Sequence, residues 1–395
     1  MYKRQVAFSP GGTLLAIAGG DGTVRLWNPA TGRLIGAPLQ IGSGPGGGVS
    51  AVAFSAGSKL LAIGGADGTV RLWDQATGQP TGKTFQTGSG PHRGVGMVAF
   101  SRDGTLLAAA GGDGTVRLWN PATGRPGATL HATSARHGAP AVALSQGGQL
   151  VATAVAFSPG GTLLAVGASD GTVRLWNPAT GRQVGKTLHA SAQHGGVHSV
   201  AFSRGGTLLA VGDGDGTVRL WNPAAGRLVR VLQTRTGPST GVQAVAFRPG
   251  GTLLAASCGD GTVWLWNPAT GRHIATLHPT TSSVQGVPDV AFSPDGQLLA
   301  AGSADGTVRA WNPATRSPVG APLEVGTGPA SAVFVVAFSP DGKLLATGGA
   351  DGTVRLWPVS LFAHTYAQLC ADAGPPTPQE WNHYVPGEAQ PKVCA

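Results

Sequence analysis

The sequence predicts an all-β fold, a single ring of four-stranded units, and three observations carry that expectation. The heptad DGTVRLW, or a close variant, begins at Asp21, Asp67, Asp113, Asp170, Asp215, Asp260, Asp305 and Asp351, at spacings of 46, 46, 57, 45, 45, 45 and 46 residues. Fifteen residues before each Asp stands the Val of a VAF triplet: Val6, Val52, Val98, Val155, Val200, Val245, Val290 and Val336. Glycine (65 residues) and proline (29) are abundant without a collagen-like period, as many tight turns between short strands require. A period near 45 residues with several strands per unit is the signature of a β-propeller blade, so eight units predict eight blades.

Each element of the unit has its own chemistry. VAFS is a short apolar strand. SPGGT or SPDGK follows, with Pro preset for the first central turn position and Gly free to take positive φ. LLAIAGG is the second strand, and the Asp-Gly pair that ends it suits a two-residue hairpin turn. TVRLW alternates, placing Val and Leu on one side and Arg and Trp on the other. NPATGR then makes a second Pro-first, Gly-last turn into an outermost strand such as Leu34–Gln40.

These units resemble WD repeats, and the resemblance covers residues 4–357. It implies a β-propeller whose bound partners commonly engage one face. The family's Trp-Asp ending occurs once, as Trp73-Asp74; six repeats have Trp-Asn and the last has Trp357-Pro358. Family members often brace each blade with a His, a Ser or Thr, the Trp and the turn Asp. Here the Ser/Thr position holds Ile17, Ile63, Ala109, Val166, Val211, Ala256 and Ala301, and only Thr347 fits. Apolar stacking is therefore expected to hold the blades more than a polar network.

Closure is the irregular point. The resemblance implies that the outer strand of the last blade comes from ahead of the first repeat, yet only Met1–Arg4 precede the first inner strand. Either Val359–Thr365 completes the last blade, or that blade has three strands and the chain is the C-terminal part of something longer; the expectation is the second. The propeller is assigned residues 1–358 and a partly helical tail residues 359–395. Within the tail, Leu361–Ala373 has near-helical apolar spacing, and Thr377-Pro378-Gln379-Glu380 has the form of a capping box. The tail resembles those of bacterial WD-repeat proteins that carry NACHT-type ATPase or kinase modules.

Composition excludes several functions. The net charge of +9 consists largely of copies of two repeat positions, Arg25 to Arg355 in the heptad and Arg33 to Arg272 after the turn glycine. Charge spread once per repeat forms no phosphate-binding stripe, so no nucleic acid is expected. No apolar run is long enough to span a membrane, and MYKRQVAFSP has no secretory core segment. Three cysteines are too few for a disulfide framework, which suits a cytoplasmic protein. Cys258 reads as a packed core residue, while Cys370 and Cys394 are either paired or free thiols.

No catalytic, metal or cofactor site is expected. Residues 42–47 fit GxGxxG but precede a strand, so no helix N-terminus would hold a pyrophosphate. Gly82-Lys83-Thr84 and Gly185-Lys186-Thr187 echo a phosphate loop but lie on outer strands. His194 and His198 are four apart beside a strand, where that spacing splays them. The turns SPGGT and NPATGR scarcely vary and share one face; the links from outer to next inner strand vary greatly and open on the other. Side chains just ahead of VAF there, Arg4, Ser50, Met97, His198, Gln243, Asp289 and Phe334, are the candidate partner contacts. The leading reading is a monomeric, non-enzymatic scaffold for a protein or peptide partner. The alternative is the ligand-sensing regulatory half of a bacterial ATPase or kinase signalling protein.

One phrase is written twice, Ala141–Thr153 and Ala154–Val166. Val142 lies 23 residues after Trp119, the usual separation, whereas Val155 lies 36 after it but fifteen before Asp170. The second copy is expected to take the blade position and the first to bulge out or lengthen the link.

Overall fold

Eight antiparallel sheets stand side by side in a closed ring in the computed structural model. It describes residues 5–363 apart from 20, 42–47, 58, 76, 88–93, 132–151, 169, 191–195, 235–240, 280–285, 326–331 and 352. The innermost strands are Val6–Phe8, Val49–Phe54, Val95–Phe100, Ala152–Phe157, Val197–Phe202, Val242–Phe247, Asp289–Phe292 and Val333–Phe338, in blades 1 to 8. Each packs against the next, and Val6–Phe8 packs against Val333–Phe338 to close the ring. Blades 1 to 7 add three further layers; blade 8 has three strands among the described residues, ending with Leu344–Gly349 and Val354–Pro358.

The turns behave as their residues dictate. In blade 1 the Ser9 hydroxyl accepts from the Leu14 amide (3.0 Å), and Gly12 takes φ +69°. Asn28 Oδ1 accepts from the Ala30 and Thr31 amides, closing the NPATG turn. One repeat breaks the rule: Arg316 holds φ +67° where blades 1 to 6 have Gly. For an L-residue that conformation costs about 1–2 kcal/mol.

Alternation on the strands directs each sheet's two faces to its two neighbours. Val24 and Leu26 of blade 1, for example, meet Val49, Val52, Leu61, Ile63 and Trp73 of blade 2, with Leu39 and Ile41 from the outer layer sealing the seam. Seven such cores fill the seams from blade 1/2 through blade 7/8. The bracing position behaves as read from sequence. In blade 8 the buried Trp357 Nε1 donates to Thr347 Oγ1 (3.0 Å), whereas Trp27, Trp176 and Trp221 Nε1, in blades whose bracing position holds Ile17, Val166 and Val211, are buried without a partner.

The duplicated phrase resolves in favour of its second copy. Ala152–Phe157 pairs with Leu164–Ala168 in blade 4, so Ala152 and Thr153, the last residues of the first copy, also join that strand. Residues 141–151 lie outside the described set. At the end of the chain, residues 359–363 do not extend blade 8 as a strand. A helical turn, Ser360–Ala363, folds back on the outer strand of blade 7, Pro318–Glu324, and buries Phe362 in the blade 7/8 seam. Gly320 permits this approach, since a Cβ there would meet the Leu361 carbonyl at 3.2 Å. The remainder of the expected first helix and the capping box lie outside the described residues.

Candidate functional site

The strand order puts the SPGG and NPATG turns on one face. The Asp-Gly turns and the links between blades lie on the other. On this second face the innermost strands share a device. In blades 2, 3, 4, 5, 6 and 8 the pairing with the second strand skips one residue, two before the VAF valine. In blade 2, Val49 pairs with Gly65 and Ala51 with Gly64, leaving Ser50 as a β-bulge. The equivalent residues are Gly96, Thr153, His198, Gln243 and Phe334. A bulge releases its residue from the ladder and re-aims it, and bulges concentrate at rims and binding sites.

Four of the seven candidate residues, Ser50, His198, Gln243 and Phe334, thus belong to one rim ring. Gln243 is exposed, and the other three are half-buried. His198 Nδ1 lies 3.0 Å from the Val242 carbonyl of the next blade, and Gln243 Nε2 donates to Gly241 O (3.3 Å). Arg4 lies outside the described residues.

Met97 and Asp289 sit one position nearer VAF, on the side facing the next blade. Met97 packs into the blade 3/4 core. Asp289 Oδ2 accepts from the Val336 amide of blade 8 (3.0 Å) while its Oδ1 accepts from Val290 N (2.9 Å). Gln5 and Ser199 do the same, receiving the Val52 and Val245 amides of the next blade at 3.0 and 3.2 Å. These three side chains tie neighbouring inner strands together. Sequence reasoning passed over Gln5 and Ser199; their signal was an acceptor at the residue just before VAF, where the other blades have Ala51, Met97, Ala154, Ala244 and Val335.

Around the rim each Asp-Gly turn carries a small polar unit. Asp67 Oδ1 accepts from the Thr69 amide and hydroxyl (2.9 and 2.7 Å), and its Oδ2 meets Arg71 Nη2 at 3.0 Å. The pattern recurs with Arg25–Asp21, Arg117–Asp113, Arg219–Asp215 and Arg355–Asp351. Burial pushes the Asp67 carboxyl up, but Thr69 and Arg71 more than offset it and hold the group below its ordinary value. These pairs neutralise much of the repeated arginine charge on this face.

Blade 5 departs from the rest. Asp213 ends its second strand where the other blades have Gly, Ala, Cys or Ser. It is fully buried, shares Arg219 with Asp215 (2.5 and 3.0 Å), and its Oδ1 has no hydrogen-bond partner. Burial, opposed by Arg219 and reinforced by Asp215, raises its pKa to about 7. In blade 6 burial pushes the Cys258 thiol up to about 12, in keeping with a packed core cysteine.

The phosphate-loop echoes do other work. Lys83 lies in the outer strand Gln79–Gln86 and donates to the carbonyls of Pro121 (3.2 Å) and Ala122 in the next blade's turn. Lys186 falls between the two short outer strands of blade 4, Arg182–Gln183 and Leu188–His189. Residues 42–47, His194, Cys370 and Cys394 lie outside the described set. Among the described residues no three His, Cys, Asp or Glu side chains gather as a metal site would require.

Comparisons with known proteins agree with this architecture. Residues 4–28, 36–74, 228–267, 271–312 and 320–358 match the WD domain, G-beta repeat family, and residues 80–236 match the β-propeller of the Nucleolar protein 10-like N-terminal domain family. These matches are to WD40-repeat β-propellers, the architecture the eight blades form. Among solved structures it is similar to the computationally designed Ika8 protein, with 25% identity, a TM-score of 0.69, and coverage of 89% of this chain and 95% of that one. No curated protein matches the chain in sequence.

Proposed function

We propose that the protein is a non-enzymatic, monomeric cytoplasmic scaffold whose Asp-Gly face binds a protein or peptide partner. The WD40 fold is typical of interaction scaffolds, and WD40 families are generally non-enzymatic. The observation that carries the reading is the bulge ring. Six blades spend a ladder position to free one residue at the rim, and that residue differs in every blade: Ser50, Gly96, Thr153, His198, Gln243 and Phe334. The opposite face repeats nearly the same two turns throughout. A surface built alike but decorated differently suits recognition of an irregular partner surface.

The test is affinity capture with the native chain and with Ser50→Glu, His198→Glu, Gln243→Glu and Phe334→Ala combined. The combined variant loses the captured partner, while a variant altered on the opposite face at Asp103 and Asp341 retains it. Equal capture by both variants would remove the rim from consideration. Asp289 is left unchanged because its carboxylate caps the Val336 amide.

A further inference from the structure

The strand directions sort the chain's charge by face. Along the sequence the arginines recur at two repeat positions, and in the ring these lie on opposite faces: the heptad arginines beside the Asp-Gly turns, the others beside the NPATG turns. The first set is largely neutralised. Every ion pair among the described residues lies on the Asp-Gly face, as Arg71 with Asp67 and Arg219 with Asp213 and Asp215. The second set is not. Arg33, Arg125, Arg182, Arg227 and Arg272 are exposed, and among the described residues none forms an ion pair.

The inner turns of the same face add Lys59, Arg102, Arg204, Arg248 and Lys343. Its carboxylates are folded into their own turns. Asp103, Asp295 and Asp341 accept from the Ser101, Ser293 and Ser339 hydroxyls and from nearby amides, and Asp74 accepts from the Thr77 amide. Neither turn of blades 4, 5 and 6 holds a carboxylate, so Arg182, Arg204, Arg227, Arg248 and Arg272 form an uninterrupted basic arc. Four of the five are exposed; Arg248 is half-buried, its Nε donating to the Gly296 carbonyl of blade 7 (2.8 Å). The turns under this arc are copies of one another. Gly161 N to Ser158 O, Gly206 N to Ser203 O and Gly251 N to Arg248 O are all 2.8 Å, as are Gly181 N to Asn177 O and Gly271 N to Asn267 O. Equal turns on neighbouring blades set the arginines at one level.

We propose that this turn face docks on an anionic lipid surface. A level array of unpaired guanidinium groups matches a plane of phosphate and carboxylate headgroups, whose oxygens they bond in forked pairs. Each basic residue brought to an anionic leaflet strengthens binding about fivefold, and the effect accumulates over the arc. A nucleic acid would be served better by a stripe along its backbone and by aromatic platforms for its bases, and the turns of blades 4 to 6 hold no aromatic side chain. Docked in this way, the propeller turns its Asp-Gly rim away from the lipid. The two faces are separate, so this inference does not rest on the rim reading above.

Flotation of the full chain with lipid vesicles is the test. The chain is expected to float with phosphatidylcholine vesicles that contain about 30% phosphatidylserine and not with phosphatidylcholine alone. Raising salt from about 0.1 M to about 1 M releases it, because the Debye length falls from about 10 Å to about 3 Å. Arg182→Gln, Arg204→Gln, Arg227→Gln and Arg272→Gln combined weaken binding by about a hundredfold or more with Tm retained. Arg248 is left in place because it holds the Gly296 carbonyl. A matched variant, Arg25→Gln, Arg71→Gln, Arg117→Gln and Arg355→Gln combined, has the same net charge and floats as the native chain does. Equal loss in the two variants would reduce the effect to net charge and overturn the proposal. So would equal flotation with both lipids, or failure to float with either while duplex DNA is bound through the same four arginines.

Discussion

Blades 2 and 8 carry nearly the same residues, GTVRLW on the third strand and LLAIGG or LLATGG on the second, yet they are stabilised differently. In blade 2 the outer strand Gln79–Gln86 covers the sheet edge, and Phe85 helps bury Val70 and Leu72 to 0% and 1% exposure. In blade 8 that layer is absent among the described residues, and Val354 and Leu356 remain half-buried. Blade 8 instead has the Thr347–Trp357 hydrogen bond inside its sheet. The contrast separates what a residue is from how much it contributes: the same leucine is a core residue in one blade and a groove wall in the other.

The largest test of this contrast is a pair of truncations followed by chemical denaturation. Leu72→Ala is expected to cost about 2–5 kcal/mol, as deletion from a closed core does. Leu356→Ala is expected to cost less than half as much. Equal losses would mean that Leu356 is covered as fully as Leu72.

Next comes pH, through blade 5. Asp213 has a folded pKa of about 7 against an ordinary 3.8, so the folded protein holds this proton more tightly than the unfolded chain. That stabilisation is complete below about pH 4 and is lost as pH rises through 7. The Tm of Asp213→Asn relative to the native chain should therefore climb between pH 4 and pH 7 and then level off. A constant difference across that window would show that the carboxyl titrates normally. Asp103, Asp295 and Asp341, held low by hydrogen bonds from the Ser101, Ser293 and Ser339 hydroxyls, lose their contributions only below that range.

The bracing position allows exchange in both directions. Thr347→Val leaves Trp357 Nε1 buried without an acceptor and should cost roughly 1–2 kcal/mol. Val211→Thr places a hydroxyl where Trp221 Nε1 now has none and should gain up to about 1 kcal/mol in the same denaturation assay. A loss in the second variant would show that the two blades do not share one geometry. Of similar size, Arg316→Gly should raise stability by about 1 kcal/mol by relieving the left-handed backbone in blade 7; no gain would mean that the arginine's own contacts offset the strain. The smallest effect is expected from deleting residues 139–151, which removes thirteen residues and keeps the blade 4 rung between Ala152 and Ala168. Closing a chain segment thirteen residues longer costs little entropy, so Tm should move by only a degree or two. A large fall would make the first copy of the phrase structural.

Much of the architecture was legible because its signals are local. Gly12 and Gly32 mark turns that need positive φ, Ser9 and Asn28 cap those turns, and the alternation of TVRLW assigns each side chain to a face. The candidate site was legible only in part. Ser50, His198, Gln243 and Phe334 proved equivalent, whereas Met97 and Asp289 proved to face the next blade, because a bulge shifts register by one residue and shows only against its partner strand. Gln5 capping Val52, 47 residues away, has no local signature at all.

The sequence by itself determined the repeat, the number of blades, the turn chemistry, and that of the eight bracing positions only the one holding Thr347 carries a hydroxyl. Each depends on a residue's own conformational preferences or on neighbours within one hairpin. Only the tertiary structure decided that Ala152 and Thr153 from the first copy extend the blade 4 strand, that Ser360–Ala363 folds back onto blade 7, and that among the described residues the seam between blades 8 and 1 is a groove lined by Trp27 and Val354. Those outcomes depend on which distant surfaces meet when the ring closes, and burial against a distant blade is an energy that no single repeat contains.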